Sequence, residues 1–285
     1  MKIGVMTFFA LAAIAALAAS SAGSQTQAVP DLNGFWTHGF SLGFGPPPEG
    51  GVGPVHDVKT RAQMRAMGQF LVHEADVSHP ALQPWLVEEL KKANQAAVSG
   101  HRIPTRQETC FPSGVPNYWT HPLMMQVVQT SDYVVFLHAR DHQVRIVHLN
   151  KPHPPNPEPS WYGDSVGHFE GDTLVVDTIG LNDKTPADIF HTPHTTKEHV
   201  VERIRVVRDA NGAKTLEVRF TVDDPGAFTM PWTGIENYRG VGGSNGAHDP
   251  VAKDDLLDEE VCAENDVAIG IPEFTIPTET SSRFR

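Results

Sequence analysis

The chain has 285 residues, 40% of them hydrophobic, and a formal net charge of −12. The hydrophobic content is enough for a packed core, and the length fits one large all-β domain or two small ones. The negative charge argues against nucleic acid and anionic membrane surfaces as partners. It gives no positive indication of a partner, so candidates must come from the motifs.

The first 22 residues have the pattern of a secretory signal peptide. Lys2 supplies a positive charge, residues 3–19 are almost wholly apolar, and residues 20–22 are small enough for cleavage. A membrane anchor is the alternative, but the apolar run is near the lower limit for a span and no basic cluster follows it. We therefore expect cleavage, no membrane insertion afterwards, and a periplasmic or secreted protein.

The two cysteines fit this compartment. Cys110 and Cys262 are the only ones in the chain, and in an exported protein they predict one disulfide, with two unpaired thiols as the alternative. Residues 23–31 are small and polar and predict a flexible linker, which leaves 32–285 as a single domain. Helical patterns at 60–70 and 84–98 predict a helical insertion over 58–100 that packs outside a sheet.

The pattern changes to short β-branched and apolar runs after residue 123. Predicted strands cover 124–129, 132–138, 143–149, two runs within 161–178, 199–208, 215–223 and 228–232. Seven or eight strands joined by turns predict an antiparallel meander that closes into a lipocalin-like barrel, or else a sandwich. Gly34-Phe35-Trp36 matches the Gly-x-Trp pattern that opens lipocalin-like barrels. The absence of strand–helix alternation disfavours Rossmann and TIM architectures.

Two carboxylates are predicted to face the interior. Glu202 and Asp177 each share a strand face with apolar neighbours, and buried carboxylates need partners or protons. An interior that held both, together with His138, would have shifted pKa values suited to acid–base chemistry. The alternative is an internal salt bridge with an arginine such as Arg145 or Arg219.

Other chemistry has less support in the sequence. The 15 histidines include two groups, at 138–153 and 191–199, but none lies in a His-Glu-x-x-His helix or beside a cysteine pair. Ser165 is not in a Gly-x-Ser-x-Gly elbow, and no Walker loop or dinucleotide fingerprint occurs. We therefore expect no metal and no cofactor.

The stretch 161–178 carries a family resemblance. It reads Trp-Tyr-Gly-Asp-Ser-Val-Gly-His-Phe-Glu-Gly-Asp-Thr-Leu-Val-Val-Asp-Thr and resembles the Gly-Asp-Ser-x-Gly-x-Trp-Glu-Gly-Asp-Thr-Leu-Val-Val-Asp-Thr motif of a large family of secreted bacterial proteins. The chain departs from that family at His168-Phe169, at Ala263, where the family has His, and at Thr109, where it has Arg. Further matches are Cys110, Val201-Glu202-Arg203, Asp224-Pro225, Pro231-Trp232-Thr233 and Cys262-Ala263-Glu264-Asn265.

The family has no established activity, so the resemblance implies export, paired cysteines and a β fold rather than a reaction. From the residues we predict an enzyme without a cofactor, acting by acid–base chemistry as a lyase, isomerase or hydrolase on a small hydrophobic or aromatic ligand. The predicted catalytic residues are His138, Asp164, Glu170 and Glu202, and the predicted substrate-binding residues are Arg145, Trp161, Arg203 and His194.

Two other functions remain open at this point. The first is a lipocalin-like carrier with an apolar pocket and no chemistry. The second is a carbohydrate-active protein, which aromatic residues expected to be exposed near carboxylates suggest. Those aromatic residues are Tyr118, Trp119, Trp161 and Tyr162.

Overall fold

A computed structural model describes residues 29–38, 43–68, 73–100, 111–121, 123–139 and 142–241. The signal peptide, most of the linker and both cysteines lie outside these residues. Cleavage and the disulfide between Cys110 and Cys262 therefore stay predictions.

The described residues form a closed barrel, as the sequence predicted, with nine strands in chain order where seven or eight were expected. β1 closes the barrel by pairing with both β2 and β9. The strands are β1 (Gly34–Thr37), β2 (Met125–Gln129), β3 (Tyr133–His138), β4 (Gln143–Leu149), β5 (Asp164–Glu170), β6 (Thr173–Ile179), β7 (His199–Arg208), β8 (Lys214–Asp223) and β9 (Trp232–Val241).

One strand pair departs from the predicted antiparallel meander. β4 and β5 run parallel over a short contact, with His148 opposite Val166 and Leu149 opposite Gly167. All other neighbours are antiparallel. Strand directions cannot alternate all the way around a ring with an odd number of members, so one parallel step is a geometric requirement of nine strands. The proline-rich segment 150–163 makes this crossover outside the barrel.

The predicted hairpin within 161–178 is confirmed as β5 and β6. Gly171 in its turn has a φ of 63°, which glycine adopts without the cost that a side chain would bring. We call this turn the lower end of the barrel. The upper end is the opposite one, where β3 ends at His138 and β4, β5 and β7 begin.

The last strand was predicted wrongly. The sequence favoured 228–232, whereas β9 runs from Trp232 to Val241. Two glycines and several polar residues obscured it, because glycine is depleted in strands. Gly234 is needed here: a Cβ atom at this position would lie 2.5 Å from the ring of Phe220.

The two helices of the described residues lie within the predicted insertion: α1 (Arg61–Ala66) and α2 (Pro84–Val98). α2 begins at Pro84 and buries Leu86 and Leu90, as predicted. Trp85 is more exposed than the predicted apolar stripe requires, and its Nε1 donates to the Gly226 carbonyl over 2.8 Å. Neither helix is long and apolar enough to cross a membrane.

The upper interior of the barrel is filled from within the chain. A short 3-10 helix, Asn117–Thr120, has all four residues buried. Trp119 packs edge-on against Phe136 and Tyr238, and Tyr238 donates a hydrogen bond to the Trp119 carbonyl. Tyr118 and Trp119 were expected to be exposed, which is wrong. The apolar sequence around them reflects packing into the barrel.

Candidate functional site

Four side chains form a hydrogen-bonded cluster on the outer face of the barrel at its upper end. Asp164 begins β5, Asp177 lies near the end of β6, His199 begins β7, and His153 comes from the crossover segment. We call these four residues the rim cluster. Residues 164 and 199 point outward because their neighbours, Ser165 and Val200, are buried inside.

The distances within the rim cluster make one continuous network. His153 Nδ1 lies 2.6 Å from Asp164 Oδ1, and His153 Nε2 lies 3.0 Å from Asp177 Oδ1. His199 Nε2 contacts the same Asp177 oxygen at 3.0 Å. His199 and Asp177 are about two-fifths exposed, whereas His153 and Asp164 are about one-quarter or less exposed. The cluster is therefore held in place and still open to solvent.

The bonding pattern fixes where the protons lie. An ionised carboxylate only accepts hydrogen bonds, so a nitrogen in contact with it must carry the proton. Both ring nitrogens of His153 lie within hydrogen-bond distance of a carboxylate oxygen, so the ring is held from both sides. His199 donates from Nε2, which leaves Nδ1 as its lone-pair nitrogen when the ring is neutral. The cluster thus contains one imidazole held at both nitrogens and one held at a single nitrogen.

Asp177 was expected to face the interior, and this is wrong. The inward residues of β6 are Leu174, Val176 and Thr178, all fully buried, while Asp177 is outward with Val175. Val175 is also nearly buried, since other parts of the chain cover the outer face there. Apolar residues on both faces of β6 removed the alternation on which the expectation depended.

Glu202 does face the interior, as predicted, and it forms the salt bridge with Arg145 that the sequence left open as the alternative. Arg145 donates from Nη1 over 2.7 Å to Oε1 and from Nη2 to Oε2 of Glu202. Trp119 Nε1 donates to Oε1 over 2.5 Å. Arg145 Nη2 also donates to Thr178 Oγ1 at 3.0 Å and Ser165 Oγ at 3.2 Å. Both charges are almost fully buried.

His138 lies in a different environment, inside the upper end of the barrel. Its ring centroid is 4.7 Å from that of His121 and 5.6 Å from that of Tyr118. His121 Nε2 is in turn 2.5 Å from the Ser113 hydroxyl oxygen. All four residues are buried. The sheet therefore separates His138 from the rim cluster on its outer face.

Glu170 and Arg203 lie together at the lower end, on the surface. Arg203 Nη2 donates to Glu170 Oε2 over 2.8 Å, and His168 Nε2 lies 3.1 Å from Glu170 Oε1. These contacts hold the pKa of Glu170 below its ordinary value. All three side chains are half exposed or more, which is typical of a solvated surface pair.

Trp161 and His194 have their own contacts, with residues outside the rim cluster and outside the Glu170 pair. Trp161 stacks on Phe111 with ring centroids 5.5 Å apart. His194 is buried, with Nδ1 2.9 Å from Glu198 and Nε2 3.0 Å from the Thr185 hydroxyl. Burial alone would lower the pKa of His194, but the Glu198 carboxylate raises it to about 9. These contacts account for His194 as a structural residue.

Sequence reasoning missed His153 and His199 as partners of the predicted residue Asp164. Both stood in the two histidine groups, where loop composition argued against a shared site. Strand register was the missing signal: Asp177 pairs with Val201, two residues from His199 on the same face. No periodic pattern could have placed His153, because it lies in an irregular segment.

The described residues contain no group of three or more His, Cys, Asp and Glu side chains suited to a metal ion. The closed barrel is compatible with a lipocalin-like binding protein. No family model, curated protein or solved structure matches the chain. The family resemblance of the 161–178 motif therefore stays a prediction.

Proposed function

We propose that this protein is a periplasmic or secreted enzyme that uses the rim cluster for acid–base chemistry on a small molecule, without an organic cofactor. The observation that carries the proposal is the position of His153 between two carboxylates, with His199 on one of them. An imidazole oriented by a carboxylate is the common form of a general base or acid in enzymes.

The two histidines take different roles. His199 acts as the general base through Nδ1, because Asp177 binds its Nε2 and fixes the tautomer. His153, held at both nitrogens, links the two carboxylates and keeps Asp177 in place beside His199. Abstraction of a carbon-bound proton or activation of water would suit this arrangement, which corresponds to a lyase, isomerase or hydrolase.

The chain beside Asp164 supports a hydrophobic or aromatic substrate. Trp161 lies three residues before Asp164, where β5 begins, and is partly exposed. Trp161 already stacks on Phe111, a ring that is 45% exposed. Apolar rings beside polar groups are typical of small-molecule sites.

The test is a conversion screen on the secreted protein. The protein is incubated with small-molecule extracts of its own culture medium and periplasm, and mass spectrometry follows which compounds decrease and which appear. We expect at least one conversion with the wild type that disappears in His199→Gln. The matched control is His168→Gln, which removes an exposed histidine that also contacts a carboxylate.

The conversion should persist in the His168→Gln control. Persistence of the conversion in folded His199→Gln would contradict the proposal, and so would the absence of any conversion by the wild type.

A carrier without catalysis is the second candidate, favoured by the closed barrel. It predicts a compound that co-purifies with the protein and is recovered unchanged after incubation. In that case His199→Gln would leave the amount of bound compound unaltered, because the rim cluster lies on the outer face.

A further inference from the structure

On the β4 side of the upper interior, three buried hydrogen-bond donors have no acceptor among the described residues. They are the Tyr118 hydroxyl, Gln143 Nε2 and Arg145 Nε, and no described residue accepts from any of them. Tyr118 is fully buried, Arg145 is 1% exposed and Gln143 is 7% exposed. Buried polar atoms almost always have partners, so three in one region require an explanation.

The three donors belong to one region. Gln143 and Arg145 are alternate residues of β4 and both point inward. Tyr162 donates a hydrogen bond to Gln143 Oε1, and its ring lies edge-on to that of Tyr118 at 5.7 Å. Arg145 is close enough to act electrostatically on the Tyr118 hydroxyl.

The orientation of the Gln143 amide is determined by its neighbours. The backbone N–H of Ser113 points to Gln143 Oε1 at 3.4 Å, and an N–H group can only donate. The oxygen therefore faces Ser113 and Tyr162, and the Nε2 group is the side that remains a donor.

The other two groups are donors as well. Arg145 has donors only, and its Nη1 and Nη2 already bind Glu202, Thr178 and Ser165 while Nε does not. Burial raises the pKa of the Tyr118 hydroxyl well above its usual range, so that hydroxyl keeps its proton. All three unpaired groups are therefore donors, and a ligand that pairs with them must supply hydrogen-bond acceptors.

We propose that the upper interior of the barrel is a second site, which binds a small neutral carbonyl compound through Tyr118, Gln143 and Arg145. A carbonyl oxygen offers two lone pairs to such donors. The ligand is neutral because Glu202 already matches the charge of Arg145, and no second arginine or lysine among the described residues is buried to offset an added anion. Tyr162, which donates a hydrogen bond to Gln143 Oε1, is partly exposed.

This proposal does not depend on the rim cluster, which lies on the other side of the sheet. Saturation-transfer NMR with the full-length protein tests it, with acetone as the neutral probe and acetate as the anionic probe of similar size. We expect transfer to acetone and none to acetate. Tyr118→Phe should weaken acetone binding about tenfold, the effect of one lost hydrogen bond. Tyr133→Phe, a change at the outer surface of β3, is the control and should bind like the wild type.

Three results would overturn the proposal: no transfer to acetone, transfer to acetate in preference to acetone, or equal acetone binding by Tyr118→Phe. Gln143→Met provides a second variant of similar shape, for which we also expect weaker binding. The urea unfolding midpoint without acetone gives a further readout. We expect Tyr118→Phe to keep or raise it, because the change removes an unsatisfied hydroxyl. A lower midpoint would mean that the hydroxyl has a structural partner and would contradict the proposal.

Discussion

The two ends of the β5–β6 hairpin carry the same kinds of side chain in different settings. At the upper end, His153 and His199 contact Asp164 and Asp177 in a network that the fold holds partly buried. At the lower end, His168 and Arg203 contact Glu170 in open solvent. Composition therefore does not distinguish a candidate site from a surface ion pair. The difference comes from what holds each side chain in place.

The largest expected difference between the two ends is in catalysis. Asp177→Asn keeps the shape of the side chain but removes the carboxylate that contacts both His199 and His153. We expect kcat/KM for a converted compound to fall about 10²- to 10⁴-fold, the usual contribution of general acid–base groups. Glu170→Gln at the lower end should stay within about twofold of the wild type. Equal losses of kcat/KM in Asp177→Asn and Glu170→Gln would contradict the proposal that only the upper end is catalytic.

The next comparison is between the two sides of β7, where Glu202 faces inward and Arg203 outward. Arg145→Met leaves the buried Glu202 charge without a partner, and we expect the free energy of unfolding to fall by about 3–5 kcal/mol. Arg203→Met should leave it unchanged within error. Urea denaturation measures both. The double variant Arg145→Met/Glu202→Leu should regain most of the loss, and a double variant as unstable as Arg145→Met would contradict this account.

A smaller difference is expected in the pH dependence of stability. His194 is buried against Glu198 with a pKa raised to about 9, and Asp224 adds to that effect. A raised folded pKa means that the stabilisation is fully present below the ordinary value of 6.5 and is lost as pH rises towards 9. The loss should be about 3 kcal/mol at most. His194→Gln should flatten the curve of unfolding free energy between pH 6.5 and 9, whereas His168→Gln should not.

Asp188 provides a check on that pH window. Burial raises its pKa to about 6, so its carboxyl group favours the folded state when protonated. Its contribution also falls with rising pH, but between about 4 and 6. A pH dependence of His194→Gln that changed in this lower window instead would argue against the assignment to His194.

The smallest effect is expected at the exposed ion pair itself. Glu170→Gln should leave the urea unfolding midpoint unresolved from that of the wild type, because exposed pairs are screened and contribute little. Adding 0.5 M salt should make no further difference. A clear loss of stability, reversed by restoring the charge with Glu170→Asp, would show that the lower end is held together more strongly than its exposure indicates.

Much of the fold could be predicted from the sequence. Strand alternation placed Glu202 inside, where the structure pairs it with Arg145, and Gly171 marked the turn between β5 and β6. Alternation failed at β6, where Val175 is buried on the outer face and Asp177 appeared to be inward. Sequence patterns also failed for Tyr118 and Trp119. The 3-10 helix that carries them has only four residues, which is too short for a repeating pattern of hydrophobic positions.

The candidate site was less accessible to prediction. Asp164 was identified from the sequence, but its partner His153 lies in a proline-rich segment whose path depends on the barrel as a whole. His199 could be found only from the register of β6 against β7. Glu170 and Arg203 were predicted from the placement of charged side chains beside apolar strand faces, but β5 and β7 carry them to the far end from Asp164.

The parallel pairing of β4 and β5 requires a long connection between them, and that connection carries His153 of the rim cluster. In a closed ring of eight or ten alternating strands, all neighbours can be antiparallel, and a two-residue turn could replace segment 150–163. With nine strands, one neighbouring pair must be parallel, and in this barrel that pair is β4 and β5. Leu149 lies level with Gly167, only three residues or about 10 Å below Asp164, so a 14-residue connection has slack to fold over the outer face and deliver His153. A barrel in which β4 and β5 were antiparallel would need no such long connection, and His153 would lose the segment that carries it.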